Sequence, residues 1–231
     1  MEKHLHIITL NVPFPANYGG VIDVFYRIVA LSEMGIHIHL HCFKYDRKET
    51  KDLEKYCDKI YYYDRAMSWN NLLSTEPFIV KTRRSNLLTA RLKENPFPIL
   101  YDGIHCTATL HNPMLTQKKY VRTHNIEKDY YRHLAKNESN MLLKLFLQLE
   151  HLKLSTYEKK IYAADAVFAI SKNDQEYFSK FQTTHLIKAF HSNTAVQSKF
   201  GTGEFALYHG NLTVSENVKA IQFLLKEVFS K

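Results

Sequence analysis

An apolar run at residues 5–10 gives way to Asn11-Val12-Pro13-Phe14-Pro15-Ala16-Asn17-Tyr18-Gly19-Gly20, and then to Val21, Val24, Phe25, Ile28 and Leu31 at helical spacing, closed by Gly35. The order is strand, glycine-containing loop, helix, which is how an α/β chain begins. N–H groups left unpaired at that helix start, backed by the positive end of the helix dipole, make an anion site when glycines let a ligand approach. Gly19-Gly20 lacks the G-x-G-x-x-G spacing of dinucleotide folds, and a turn-forming glycine pair accounts for it equally well.

Strand and helix signals then alternate. Residues 36–43 place His37, His39 and His41 on one face of a strand. Ligands at i and i+2 need support from other elements, so a half-buried alternating face explains the pattern better than a metal site. A charged helix is predicted over 47–56, a strand over 59–63, and strands over 99–101 and 120–123 that end in Asp102-Gly103 and His124-Asn125. In open parallel sheets ligands sit beyond the carboxyl ends of the strands, so residues 11–20, 102–105 and 124–127 are expected to line one cleft. A long helix from residue 142 carries Leu142, Leu145, Phe146, Leu149, Leu152 and Tyr157 near one face, a stripe expected to cover the sheet. Residues 166–170 read as a buried strand, Ser171 as the cap of the next helix, and 186–190 as a further strand. Polar residues 191–204, with Gly201 and Gly203, read as a linker. A strand over 205–209, a turn at Gly210-Asn211-Leu212 and a helix over 216–229, capped by Ser215, follow it. The expected architecture is α/β: a Rossmann-like, mostly parallel sheet with helices on both faces over 1–190, a linker over 191–204, and the first βα unit of a partial second domain over 205–231.

The 231 residues are 45% hydrophobic with 15 Tyr and 14 Phe, enough for a substantial core. Cys42, Cys57 and Cys106 form no Cys-x-x-Cys pair and are odd in number, which argues against a disulfide framework or a zinc site and for a reducing compartment. Lys3, His4 and His6 interrupt the first apolar run, unlike an export signal, and no segment approaches the ~20 consecutive apolar residues of a transmembrane helix. The formal net charge of +8 is spread over several elements. Such an excess attracts phosphorylated ligands, an anionic membrane or nucleic acid, and the lack of an RNP-type motif or zinc finger makes nucleic acid the weakest of the three.

Several motifs, taken in order, carry a resemblance. Pro13-x-Pro15-x-Asn17-Tyr18-Gly19-Gly20-x-x-Asp23 fills the first loop, and Thr123-His124-Asn125-Ile126-Glu127 follows a middle strand. Ala164-Asp165-Ala166-Val167-x-Ala169-Ile170-Ser171 precedes a capped helix, and Gly210-Asn211-Leu212 comes last, with Asn217 and Ala220. Together they resemble the GT-B glycosyltransferases of family four, retaining enzymes also called glycosyl transferases group one, over nearly the whole chain. The resemblance implies two facing Rossmann-like domains, the first holding the acceptor and the second a nucleotide sugar. It implies hexose transfer to a saccharide or lipid-linked acceptor with retained anomeric configuration, in surface-glycan or polysaccharide assembly, with no metal or other cofactor; no Asp-x-Asp motif occurs in the sequence.

By the same resemblance Gly19 and Gly20 lie near the donor diphosphate, where N–H groups stabilise charge on the departing nucleotide, and Gly210 marks the phosphate-facing turn of the second domain. His124 is the implied catalytic residue, in contact with the transferred sugar. Asn17, Tyr18, Asn125 and Glu127 are implied substrate or loop-ordering contacts, and Glu127 suits a helix start as well. The family's basic phosphate-binding residues and paired-glutamate motif do not appear before residue 231. The expectation is therefore an acceptor half plus the start of a truncated donor half, inactive alone, cytoplasmic, with peripheral contact at the inner face of a membrane. The rival reading is a noncatalytic Rossmann-like module that binds a saccharide or a complementary partner chain. A nucleotide-dependent oxidoreductase ranks lower, because no glycine triplet follows Leu10.

Overall fold

The structure, a computed structural model, describes residues 2–193, 195–196, 201, 203–210, 212 and 215–229. They fall into two units, Met1–His191 and Ser192–Lys231.

In the first unit the apolar runs become seven parallel strands. These are β1 (Lys3–Thr9), β2 (Ile36–Lys44), β3 (Lys59–Asp64), β4 (Ile99–Asp102), β5 (Lys119–Thr123), β6 (Ala166–Ala169) and β7 (Thr184–Leu186), in the order β3-β2-β1-β4-β5-β6-β7. The winding reverses between β1 and β4, and there the carboxyl ends of the strands part to leave a crevice. Successive residues along each strand face opposite layers. Ile7 and Leu100 pack with Val24, Phe25 and Ile28 of α1 (Gly19–Glu33). Ile8 and Tyr101 pack on the other side with α2 (Phe78–Lys81), with Leu88 and Leu92 of α3 (Asn86–Glu94), and with Leu154 and Tyr157 from α5 (Met141–Tyr157). Two further helices complete the unit, α4 (Glu127–Asn137) and α6 (Lys172–Phe178), the latter capped by Ser171, whose Oγ accepts from the Asp174 amide at 3.1 Å. Helix α1 ends where Gly35 takes a left-handed φ of 74° and its N–H donates to the Ser32 carbonyl.

Three expectations differ from the structure. No helix forms over 47–56, where the chain makes turns. Thr50 Oγ accepts from the Asp52 amide at 3.2 Å, and Tyr62 donates to the Thr50 carbonyl at 3.0 Å, so side chains compete with a helical ladder there. The strand expected over 186–190 is instead the earlier β7, from Thr184 to Leu186. Helix α5 turns most of its expected core stripe outward: Leu142, Leu145, Leu149 and Leu152 are exposed, whereas Tyr157 of that stripe is buried as expected, together with Leu147, Glu150 and Leu154. Glu150 sets this rotation, because its carboxylate accepts from the Phe78 amide at 2.6 Å, capping α2, and from Lys153 at 2.8 Å.

One face of β1 and β2 carries five histidines, with His4 level with His37 and His6 level with His39. The inner ones form a relay with fixed tautomers. His6 Nε2 donates to the Asn95 carbonyl at 2.7 Å, so His6 Nδ1 accepts from His41 Nε2 at 2.9 Å. His41 Nδ1 accepts from the Tyr63 hydroxyl at 2.8 Å, and that oxygen accepts from Arg91 at 3.1 Å. Burial lowers both imidazoles, which keeps them neutral.

In the second unit, α7 (Ser215–Phe223) continues into a π-helical turn, Leu224–Val228. Residues 205–209 form no strand, because a single extended segment has no neighbour to pair with. Tyr208 instead folds over Gly210, where a Cβ would meet its ring at 3.0 Å, and its hydroxyl donates to the Asn217 carbonyl at 3.2 Å. Asn211, residues 194, 197–200 and 202 of the expected linker, and the Ser215 side chain lie outside the described residues.

Candidate active site

The crevice at the β1/β4 reversal holds a cavity of about 340 Å³. Thr9, Leu10, Asn11 and Pro13 line it after β1, and Tyr18, Gly20, Val21 and Val24 line it at the start of α1. Asp102, His105, His124, Asn125, Glu127 and Tyr130 close it from the ends of β4 and β5. The three segments expected to converge from the sequence do converge.

Local polar bonds shape the first wall. Thr9 Oγ donates to the Asn11 carbonyl at 2.8 Å, and Asn11 Oδ1 accepts from the Val12 amide at 2.9 Å. Arg47 donates to the Pro15 carbonyl at 2.6 Å and to the Asn17 side chain, and its guanidinium lies 4.9 Å above the Tyr18 ring. Asn17 is thus a tie that orders the loop, while Tyr18 reaches the cavity. No side chain caps α1, which leaves its first amides to solvent or a ligand. Gly19 lies outside the lining, whereas Gly20 is part of it. A Cβ at Gly20 would meet only Tyr18, at 3.8 Å, so the missing side chain there widens the cavity instead of relieving backbone strain.

Behind the cavity lies a buried network of charges. Asp23 accepts from Arg27 at 2.8 Å and from Arg122 at 3.2 and 2.9 Å. Arg27 also bonds Asp102, and Arg122 donates to the Ile187 and Lys188 carbonyls at 2.7 and 3.2 Å. The Phe190 amide completes the set by donating to Asp23 at 2.8 Å. His124 Nε2 donates to Asp102 at 3.1 Å. Its Nδ1, 3.9 Å from Asp23, is beyond hydrogen-bond reach of that carboxylate and is the nitrogen left for a ligand. Burial pushes the Asp102 carboxyl up, but Arg27 and His124 beside it outweigh burial and hold it well below the usual carboxylate range. Asp102 therefore stays ionised and fixes the His124 tautomer and ring orientation.

Gly103 allows this approach. Its φ of +88° suits glycine, and a Cβ would lie 3.2 Å from His105 Nδ1 and 3.5 Å from His124 Cδ2. Burial and the positive charge of Arg83 press His105 well below its ordinary value, so its imidazole is neutral. Glu127 faces it at 3.9 Å. Burial, reinforced by the neighbouring Glu158 carboxyl, pushes Glu127 up to about 7. Glu158 is pushed up to about 7 by burial as well, against hydrogen bonds from the Lys128 amide and Tyr177, each at 3.0 Å. Glu127 thus presents a carboxyl able both to give and to take a proton at neutral pH.

Asp23, Asp102 and His124 bring three potential metal-binding atoms within 4.8 Å of one another. Arg27 and Arg122 already supply positive charge to those carboxylates, and their guanidiniums would repel a divalent cation. Gly210 belongs to the other unit. Sequence reasoning missed Arg27, Arg122 and Tyr130. An arginine inside the apolar stripe of α1 was the available signal for Arg27.

No protein-family model matches the chain. The fold is nonetheless shared with part of solved glycosyltransferase structures. Sucrose-phosphate synthase from Thermosynechococcus elongatus superposes with a TM-score of 0.54 at 15% identity, over 80% of this chain and 48% of the synthase. A UDP-glucosyltransferase from Polygonum tinctorium, capable of glucosylating indoxyl, matches with a TM-score of 0.50 at 10% identity, over 84% of this chain and 54% of that one. A curated relative, an uncharacterized 44.6 kDa protein in the cps region of Klebsiella pneumoniae, is 27% identical over 96% of this chain and 59% of its own length. The chain therefore spans about half to three fifths of the length of these three proteins.

Proposed function

We propose that the Met1–His191 unit is the acceptor-side domain of a retaining glycosyltransferase that moves a hexose from a nucleotide sugar to a saccharide or lipid-linked acceptor in surface-glycan assembly. The observation that carries this reading is His124, locked by ionised Asp102 at 3.1 Å on the wall of the same cavity that receives the uncapped start of α1. In this reading His124 Nδ1 contacts the transferred sugar. The α1 amides at Gly19 and Gly20 face the donor diphosphate and stabilise the leaving group without a metal, and Gly210 is assigned the phosphate-facing turn of the second unit taken by itself. Tyr18, Asn125 and Glu127 contact the acceptor, and Asn17 orders the loop through Arg47. The fold, and a relative in a cps region, support the assignment.

Peripheral contact at the inner face of the membrane belongs to the same reading. It is supported by exposed Leu142, Leu145, Leu149 and Leu152 beside Lys144 and Lys159. No helix among the described residues is long and apolar enough to cross a membrane.

Calorimetric titration of the chain with UDP, GDP, their sugar conjugates and a panel of saccharides tests the assignment. Saccharide binding that disappears in His124→Ala, together with nucleotide affinity no tighter than millimolar, is the expected result. Micromolar nucleotide binding by this chain would overturn the acceptor-side assignment, and unchanged saccharide binding in His124→Ala would remove His124 from the site.

A further inference from the structure

At the opposite, amino end of the sheet, β1, β2 and β3 enter side by side, and each brings a metal-binding side chain. His4 and His37 are level partners on β1 and β2, and Asp58 immediately precedes β3. Ligand atoms from the three lie within 4.8 Å of one another. We propose that His4, His37 and Asp58 bind one zinc-class divalent cation, with Glu2 or water completing the tetrahedron.

The donors are pre-positioned. His4 Nδ1 is taken up by His39 Nε2 at 3.2 Å, which leaves His4 Nε2 as the ligand atom, 3.5 Å from Glu2. His39 is buried, and its own Nδ1 has no partner. With the His4 proton on Nδ1, donated to His39, the histidine-to-histidine bond is the outer-shell support that orients a metal-bound imidazole. Asp58 is anchored by its amide, which donates to the Ile38 carbonyl at 2.9 Å, and its carboxylate meets His37 Nδ1 at 2.6 Å. The His4 and His37 rings stack at 4.8 Å, which places the two imidazoles side by side. One divalent ion serves both rings and the Asp58 carboxylate. Bonds of about 2.0–2.2 Å hold tetrahedral ligands roughly 3.4 Å apart, so side-chain rotation of about an ångström closes the site. Two imidazoles and carboxylate oxygens suit zinc and exclude magnesium, which prefers an all-oxygen octahedron. The inner histidines cannot compete, because His6 and His41 spend both ring nitrogens in the relay.

Such an ion would tie the starts of three adjacent strands together. It lies at the other end of the strands from the cavity, so the assignment stands apart from the glycosyltransferase reading.

Untagged chain, stripped with chelator, is titrated with Co²⁺ by visible absorption and with Zn²⁺ by calorimetry and thermal unfolding. The expected result is one equivalent bound, an intense visible Co²⁺ band that Zn²⁺ displaces, and a higher thermal midpoint with Zn²⁺. His4→Ala, His37→Ala and Asp58→Asn each weaken binding at least tenfold and abolish the thermal shift, while His133→Ala at an exposed position elsewhere changes neither. These positions are at the surface, and circular dichroism of the metal-free variants checks that they fold. Binding that is not saturable at one equivalent, or that survives in the His4→Ala/His37→Ala double variant, overturns the proposal.

Discussion

Replacing Glu127 with Gln keeps the side chain's shape and removes its titration. Glu127 is 3% exposed, and burial with the Glu158 neighbour raises its carboxyl from 4.5 to about 7. A group raised on folding holds its proton more tightly in the folded chain, so its contribution to stability is complete below about pH 4.5 and is lost as the pH rises through about 7. The full contribution is about 3.4 kcal/mol, and about 2 kcal/mol of it falls between roughly pH 5.5 and pH 8. Urea unfolding followed by circular dichroism at those two values, for wild type and Glu127→Gln, reads it together with its coupling to Glu158, because titrating groups that do not interact with Glu127 cancel in the double difference. The wild type should gain about 2 kcal/mol over the variant on acidification. Glu158→Gln, which removes the like-charged neighbour, should reduce that gain by bringing Glu127 back toward its ordinary value. Wild type and variant that change in parallel, to within about 0.5 kcal/mol, would show Glu127 ionised like a surface acid and sink the argument.

Other perturbations follow from the same contacts. Arg122→Met strips Asp23 of its paired guanidinium bonds and orphans two carbonyls, and should cost about 3–5 kcal/mol in urea unfolding. Gly103→Ala sets a Cβ 3.2 Å from His105 in a left-handed backbone conformation, and should cost about 1–3 kcal/mol and shift the His124 imidazole resonances in NMR spectra. Leu149→Ser, on the exposed face of α5, should change stability by no more than about 0.5 kcal/mol while weakening flotation with anionic vesicles; unchanged flotation would separate that face from membranes.

What could be read from the sequence was local. Strands β1 to β6 announced themselves by apolar runs, while β7 lies earlier than the run read for it, and the rule that ligands sit beyond parallel strands brought residues 11–20, 102–105 and 124–127 together before any contact was known. The rotation of α5 was not local. Its leucines form the better apolar stripe, yet Glu150 turns inward because the Phe78 amide, 72 residues earlier, needs an acceptor. Periodicity carries no information about such partners. The same limit hid Arg122, whose carboxylate lies 99 residues away on α1. The turns at 47–56 escaped for the opposite reason: the charges suggested a helix, while Thr50 and Tyr62 offered the backbone nearer partners. Gly103, whose missing side chain makes room for His124, stood in plain view after a strand but could be valued only once its neighbours were known.

The Phe190 amide is fastened to Asp23, and Asp23 reaches the cavity through Arg27, Asp102 and His124. The peptide that leaves the sheet is therefore held by a carboxylate of the buried charge network behind the cavity. The last residues before the boundary at His191 are thus tied, through one carboxylate, to the wall of the cavity.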